Sequence, residues 1–228
     1  MKIGILQTGH LPDDMRAAHG DYAAMFANLF DGRGYSYVVF NVVDMEFPDS
    51  LDAADAWLVT GSKHGVYEDH AFIAPLEDLL RAIRDKGAPL VGICFGHQII
   101  AQAFGGHVEK FAGGWCVGRQ DYEISGERLH LNAWHQDQVI TLPEGAQTLG
   151  SSDFCAHAAI VYGEHILTVQ PHPEFQAPVV NHLIETRGRG VVPDDLLAKA
   201  EDGLAHATQN ERLAEMLAAV LDKAQVPA

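Results

Sequence analysis

A cysteine placed between two glycines is the residue of this sequence best suited to nucleophilic chemistry. Cys94 lies in the run Val91-Gly92-Ile93-Cys94-Phe95-Gly96, after an apolar strand-like stretch and before a helical pattern. A Gly-x-Cys-x-Gly run at a strand-to-helix junction is typical of a nucleophile elbow, where side chains at the glycine positions would collide with the turn. The field at a helix N-terminus favours the thiolate, which is the reactive form of cysteine. The alternative is an ordinary buried cysteine of the core.

A histidine and a glutamate two residues apart can complete a catalytic triad with this thiol. His172 and Glu174 follow the apolar run 166–169, and a proline precedes each of them. The prolines restrict the directions in which both side chains can point. His172 can take the thiol proton and return it to a leaving amine, and Glu174 can hold the imidazole in the required tautomer. The alternative is a loop histidine, since the chain contains 13 histidines.

The surrounding elements predict an α/β fold that can position these residues. Apolar periodicity predicts strands at 2–8, 35–43, 56–60 and 90–93, and helices at 21–30 and 74–86. Strands that alternate with helices predict a mostly parallel sheet with right-handed crossovers. Short alternating runs with turn signals between Trp115 and Val169 predict additional antiparallel strands. The last third is predicted to be helical, at 179–186, 191–207 and 211–223.

Length and composition favour one domain and exclude several classes of partner. The 228 residues suit a single domain, 1–228, with a helical C-terminal extension at about 179–228. A formal net charge of −16 argues against binding to nucleic acid or to anionic membranes. Three cysteines without metal-site spacing, and no signal peptide pattern, predict a cytoplasmic protein.

Four motifs in order resemble one known family, the class I (triad-type) glutamine amidotransferases. Gly-Ile-Cys-Phe-Gly-His-Gln at 92–98 and His-Pro-Glu at 172–174 carry the resemblance. Thr60-Gly61-Ser62 resembles the loop that completes the family's oxyanion hole, and His135-Gln136-Asp137 resembles a segment near the active site. The similarity spans residues 1–178 and is closest to free-standing members related to the GMP-synthase amidotransferase domain and to γ-glutamyl peptidases.

The resemblance implies a fold and a set of site residues. The fold would be a flavodoxin-like three-layer sandwich with a mostly parallel central sheet and additional antiparallel strands. Cys94, His172 and Glu174 would form the triad. The backbone N–H groups of Phe95 and Ser62 would hold the oxyanion. Substrate contacts would come from Gly61, Gln98, His135 and Asp137, although a solvated turn before a strand is an equal alternative for the last two.

Several functions remain compatible with these residues. The first is cysteine-dependent hydrolysis of glutamine to glutamate and ammonia through a γ-glutamyl thioester, with a separate synthetase subunit as a possible partner. The second is hydrolysis of a larger γ-glutamyl peptide, because the same triad serves both leaving groups. The third is a non-catalytic binding or regulatory protein on the same fold. A cysteine hydrolase of a related flavodoxin-like family is a lesser rival. In each catalytic case the partner is a small-molecule substrate.

Other residues lack a supporting pattern, and no cofactor or metal is expected. The chain has no Walker-type or dinucleotide-binding glycine loop. Histidines scattered near loops have no spacing of a usual metal site and are interpreted as surface residues: His64, His70 and His107. The remaining candidates are interpreted as core cysteines (Cys116, Cys155), packing aromatics (Trp115, Trp134) and a helix end (Arg187, Arg189).

Overall fold

The computed structural model of the protein describes residues 1–225. Its strands are β1 (Lys2–Leu6), β2 (Ser36–Phe40), β3 (Ala56–Val59), β4 (Leu90–Ile93), β5 (His107–Lys110), β6 (Cys116–Ile124), β7 (Glu127–His135), β8 (Asp137–Thr141), β9 (Ala146–Ser151), β10 (Ala159–Tyr162) and β11 (Ile166–Val169). Its α-helices are α1 (Asp13–His19), α2 (Tyr22–Leu29), α3 (Ile73–Lys86), α4 (Phe95–Ala103), α5 (Ala177–Leu183), α6 (Asp194–Gly203) and α7 (Asn210–Leu221). A π-helical turn, Ile184–Gly188, continues α5.

One sheet of nine strands organises the molecule, in the order β2-β1-β3-β4-β11-β10-β9-β6-β7. The strands from β2 to β11 in this order pair in parallel. The strands from β10 to β7 are antiparallel extensions, and β5 with β8 forms a separate two-stranded sheet. The mostly parallel sheet with antiparallel strands from the middle of the chain was therefore predicted correctly.

Helices cover both faces of the parallel strands, because these strands are apolar on both sides. On one face Ile5 packs in a cluster with Phe26 of α2 and Leu217 of α7. On the other face the cluster contains Leu80 of α3 and Ile100 of α4. The result is the predicted three-layer sandwich, in which the carboxyl ends of β4 and β11 lie side by side.

The structure corrects some element boundaries for identifiable reasons. Helix α1 was missed because it has seven residues and only Met15 is buried, so no apolar periodicity marks it. The predicted helix at 191–207 is shortened to α6, which begins after Pro193, a residue that does not fit a helix interior. The predicted strands at 2–8 and 35–43 end earlier, at Leu6 and Phe40.

The C-terminal part of the described chain is helical, as predicted, through α5, α6 and α7. Positions 226–228 of the expected helical extension lie outside the described residues. Within residues 1–225, no helix combines the length and the apolar character that crossing a bilayer requires.

Candidate active site

Cys94 lies at the sharp turn between β4 and α4, where the sequence predicted an elbow. Its backbone has φ 52° and ψ −102°, a left-handed conformation that non-glycine residues rarely adopt. The residue is 6% exposed and borders a cavity of about 400 Å³. A backbone held in such a conformation is a feature of catalytic sites.

The two glycines that flank Cys94 are required by close backbone contacts. A Cβ at Gly96 would lie 2.3 Å from the carbonyl oxygen of Val59 in β3. A Cβ at Gly92 would lie 2.6 Å from the carbonyl oxygen of Gly96. These distances are far below van der Waals contact, so the tight passage of α4 past β3 and β4 depends on both glycines.

His172 and Glu174 lie just beyond β11, the strand next to β4. The Nδ1 of His172 is 2.7 Å from Oε1 of Glu174, and both side chains are buried. The backbone N–H of His172 donates to the carbonyl of Asn132 at 2.8 Å. The ring of Phe175 stacks on the imidazole with centroids 4.0 Å apart. The imidazole is therefore fixed on several sides.

The pKa of His172 depends on both of its neighbours, Glu174 and Cys94. Burial would lower the pKa of His172, but the charges of Glu174 and Cys94, and hydrogen bonds to both, raise it to about 10. A His172 with this pKa carries a proton at neutral pH. The site therefore holds an imidazolium between a carboxylate and a sulfur.

Two backbone N–H groups near Cys94 have no internal partner. Phe95 is the first residue of α4, so its N–H cannot be satisfied within the helix. The N–H of Ser62 makes no hydrogen bond among residues 1–225, while the Oγ of Ser62 donates to the carbonyl of Thr8 at 2.8 Å. Ser62, like Cys94, lines the cavity.

The residues expected to contact substrate also gather around this cavity. Gln98, His135 and Asp137 line it directly. The amide nitrogen of Gln98 donates to the carbonyl of Asp137 at 2.9 Å, and the Nδ1 of His135 is 3.2 Å from the same carbonyl. Gly61 lies behind His172, where an added Cβ would be 3.0 Å from the ring carbon Cε1.

Burial sets the charges of the two titratable residues in this group. Burial lowers the pKa of His135 to about 3, so this imidazole is neutral at neutral pH. The half-buried carboxyl of Asp137 has its pKa raised by burial, while a hydrogen bond from Tyr67 and the charge of Lys110 oppose that shift. Asp137 accepts the hydrogen bond from the hydroxyl of Tyr67 at 3.1 Å.

Three residues that the sequence assigned to packing or to a helix end also line the cavity with Cys94: Trp115, Trp134 and Arg187. The two tryptophans pack, as predicted, against the cluster that contains Val117 and Leu197. Arg187 lies in the π-helical turn after α5, and its guanidinium makes no hydrogen bond or ion pair with protein groups among residues 1–225. Arg189, in contrast, pairs with Glu185 and Glu201 on the surface. The helical sequence pattern gave no signal for this π-helical turn.

The other two cysteines are core residues, as predicted. Cys116 and Cys155 are buried, and burial raises the pKa of each thiol to about 12. Such thiols stay protonated and unreactive at neutral pH.

Among the histidines interpreted as surface residues, His107 is exposed, whereas His64 and His70 are half-buried. His64 and His70 lie beside Glu68, with one potential ligand atom of each residue within 4.8 Å of the others. His107 is elsewhere, on β5, with Glu109 as its acidic neighbour.

A family model and several known proteins are similar in sequence to this chain. The family model "Glutamine amidotransferase class-I" matches residues 22–186. Gamma-glutamyl peptidase 5 of Arabidopsis thaliana is 30% identical over 187 residues, which cover 75% of this chain and 74% of the relative. A glutamine-hydrolyzing GMP synthase of Thermotoga is 29% identical over 165 residues, 68% of this chain but 31% of the relative.

Solved structures agree on the fold. The crystal structure of a glutamine amido transferase from Methylobacillus flagellatus superposes with a TM-score of 0.75 at 20% identity. The match covers 98% of this chain and 94% of that protein. At this level of identity the likeness concerns the fold alone, and it agrees with the predicted flavodoxin-like architecture.

Proposed function

Because the chain belongs to the class-I glutamine amidotransferase family, we propose that it hydrolyses γ-glutamyl amide bonds through a thioester on Cys94. The observation that supports the proposal is that three features lie together at one cavity. Cys94 stands on an elbow with positive φ, the buried His172–Glu174 pair is beside it, and N–H groups without a partner among residues 1–225 flank it. These are the nucleophile, base, orienter and oxyanion donors that acyl transfer requires.

In the first step the thiolate of Cys94 attacks the δ-carbon of the γ-glutamyl group. The new C–S bond moves an electron pair onto the amide oxygen, and the N–H groups of Phe95 and Ser62 donate to that oxyanion. His172 stands beside the sulfur and holds the proton that the thiol gives up for the attack.

In the second step the C–N bond breaks and the leaving nitrogen takes a proton from His172. The products are a free amine, which is ammonia or an amino compound, and a γ-glutamyl thioester on Cys94. Acylation removes the negative charge that helped to raise the pKa of His172. His172 is therefore neutral more readily in the acyl-enzyme, which suits it to deprotonate the water that hydrolyses the thioester.

Glu174 acts on His172 alone. Its Oε1 accepts from Nδ1 at 2.7 Å, which leaves Nε2 as the nitrogen available to Cys94 and to the leaving group. Glu174 is buried, so its charge is little screened by water. It orients the ring and stabilises the imidazolium.

The glutamyl end of the substrate is assigned to Gln98 and Asp137. The nitrogen of Gln98 is already used by Asp137 and Gln170, so its oxygen is left to accept from the substrate's α-ammonium group. The half-buried carboxyl group of Asp137 lines the same cavity and offers a further acceptor to that ammonium group. The neutral His135 holds the backbone of Asp137 in place, and Gly61 leaves the room that His172 occupies.

The leaving-group end favours a small γ-glutamyl peptide as substrate. A cavity of about 400 Å³ matches the volumes that hold ligands larger than one amino acid. Arg187 places on its wall a guanidinium that has no partner among residues 1–225 and is suited to a carboxylate. The similarity to a protein named gamma-glutamyl peptidase agrees with this choice.

The second candidate is a glutaminase that supplies ammonia to a separate synthetase. The similarity to the glutamine-hydrolyzing GMP synthase over about a third of that enzyme favours it. The chemistry on Cys94 is the same in both cases, and only the leaving group differs.

The deciding experiment measures glutamate release from glutamine and from a panel of γ-glutamyl dipeptides. Faster turnover of dipeptides than of glutamine supports the first candidate, and the reverse supports the second. If turnover is slow, the reactivity of Cys94 is tested instead by its labelling with a glutamine-like diazoketone, detected by mass spectrometry. If the protein shows no glutamate release and no labelling of Cys94, both candidates are refuted.

A further inference from the structure

A second cluster of chemically active side chains lies in the loop between β3 and α3. His64, Glu68 and His70 each offer one ligand atom, and these atoms lie within 4.8 Å of one another. We propose that these three side chains form a binding site for a divalent transition-metal ion of the zinc class. The donor set of two imidazoles and one carboxylate is one that Zn²⁺ uses when it keeps a further position open.

The geometry of the cluster is close to that of a coordination sphere. The Nε2 of His70 is 2.8 Å from Oε2 of Glu68, and the Nδ1 of His64 is 3.7 Å from the same oxygen. Ligand atoms about 2.0–2.1 Å from a tetrahedral ion lie about 3.3 Å apart. The two observed distances lie on either side of this value, so small side-chain rotations admit an ion.

The ligands are held in place before any ion binds. The backbone N–H of Gly65 donates to Oε2 of Glu68 at 3.0 Å. The ring of His70 stacks on Phe72 with centroids 5.8 Å apart, and His64 lies edge-on to His70 at 4.1 Å. Side chains that are ordered in advance lose little conformational entropy on binding.

The proposed site adjoins the catalytic cavity, because His64 and Glu68 both line that cavity with Cys94. The N–H of His64 donates to Oγ of Ser62 at 3.3 Å, so the site shares a loop with the proposed oxyanion donor. The metal site itself does not depend on the proposed hydrolase activity, since its ligands are distinct from the triad.

The test is a zinc titration of the metal-free, full-length Cys94→Ala protein against a chromophoric chelator. The alanine removes the thiol that would otherwise bind zinc beside His172. One zinc ion per chain is expected. His70→Gln and His64→Gln in the same background should each weaken binding by at least about 10–100-fold.

His107→Gln is the matched control. It removes a histidine whose Nε2 lies 3.2 Å from Glu109, a pair that lacks a second imidazole. Zinc affinity should not change in this variant, and circular dichroism should show that all variants are folded. Affinity unaffected by His64→Gln and His70→Gln, or absence of zinc binding in Cys94→Ala, would overturn the proposal. Because binding is measured on an inactive variant, this result is independent of the hydrolysis assay.

Discussion

Gly61 lies directly behind the imidazole of His172, so that a Cβ on Gly61 would be 3.0 Å from Cε1 of that ring. The same Cβ would be 3.8 Å from Cβ of Cys94. The loop that follows β3 thus forms a wall against both Cys94 and His172. The position of the histidine depends on the absence of a side chain there.

We expect Gly61→Ala to impair catalysis more than folding. The added methyl group pushes the imidazole away from the sulfur, and a misplacement of this kind can cost about 100-fold in kcat. The measurement is kcat together with the thermal midpoint Tm. Gly96→Ala is the contrasting variant, because its Cβ would meet backbone 2.3 Å away. It should lose about 3 kcal/mol of stability, about 6–12 °C in Tm. Normal kcat in Gly61→Ala would contradict the proposed wall.

Cys94→Ala should abolish γ-glutamyl hydrolysis while the fold remains. Removal of a triad nucleophile costs on the order of 10⁶-fold in kcat. Cys155→Ala is the matched control, because Cys155 is also a buried thiol of the same core cluster but lies outside the cavity lining. Glutamate release and circular dichroism provide the readouts. Near wild-type activity in Cys94→Ala would remove the central proposal.

Glu174→Gln should keep the shape of the site and lose the charge that stabilises the imidazolium. The expected decrease in kcat is about 10²–10⁴-fold, the range of a general acid–base contribution. KM should change little, because Glu174 contacts His172 and not the substrate in this assignment. A large increase in KM with unchanged kcat would place Glu174 in binding instead.

The protonation of His172 should respond to Cys94. The charge of Cys94 and a hydrogen bond with it help to raise the pKa of His172 to about 10, so Cys94→Ala should lower that pKa. NMR of labelled histidine in both proteins measures the shift. A raised pKa in the folded state also means that protonated His172 stabilises the fold fully below pH 6.5. That contribution is lost as the pH rises towards about 10. An identical His172 titration in both proteins would contradict the coupling.

Arg187→Gln should weaken binding of γ-glutamyl dipeptides without a change in kcat. A hydrogen-bonded charge pair contributes about 1.5–3 kcal/mol, so KM should rise at least about tenfold. Arg189→Gln is the matched control, since Arg189 carries the same charge but pairs on the surface with Glu185 and Glu201.

Comparison of a γ-glutamyl dipeptide with its C-terminal amide shows which carboxylate of the substrate Arg187 binds. If Arg187 binds the carboxylate of the leaving group, the wild type should use the amide less well than the dipeptide. Arg187→Gln should then use the two compounds equally well. Unchanged KM for both compounds in Arg187→Gln would refute a role in binding.

From the sequence, the residues of the proposed triad could be brought together more readily than the other residues that line the cavity. Cys94, His172 and Glu174 stand at the ends of apolar strands, and the carboxyl ends of adjacent parallel strands meet at one edge. Strand patterns and local motifs were therefore sufficient to bring them together. Trp115 and Arg187 come from segments with no such rule, because their positions depend on how the antiparallel strands and the later helices pack.

The proposed metal-binding cluster shows another limit of sequence reasoning. His64, Glu68 and His70 lie in a loop, and no periodicity fixes the direction of a loop side chain. Their convergence depends on the hydrogen bond from Gly65 to Glu68 and on stacking against Phe72. Neither contact has a sequence pattern of its own.

The π-helical turn that carries Arg187 allows a one-residue deletion to change the lining of the cavity. Such a turn holds one residue more than an α-helical turn, and each residue of an α-helix rotates the next side chain by about 100°. Deletion of one of residues 184–186, which precede Arg187 in this turn, would restore α-helical geometry and turn the guanidinium away from the cavity. The loss or gain of one codon would thereby remove or create a preference for leaving groups that carry a carboxylate. The strands that lead to Cys94 and His172 would remain unaltered.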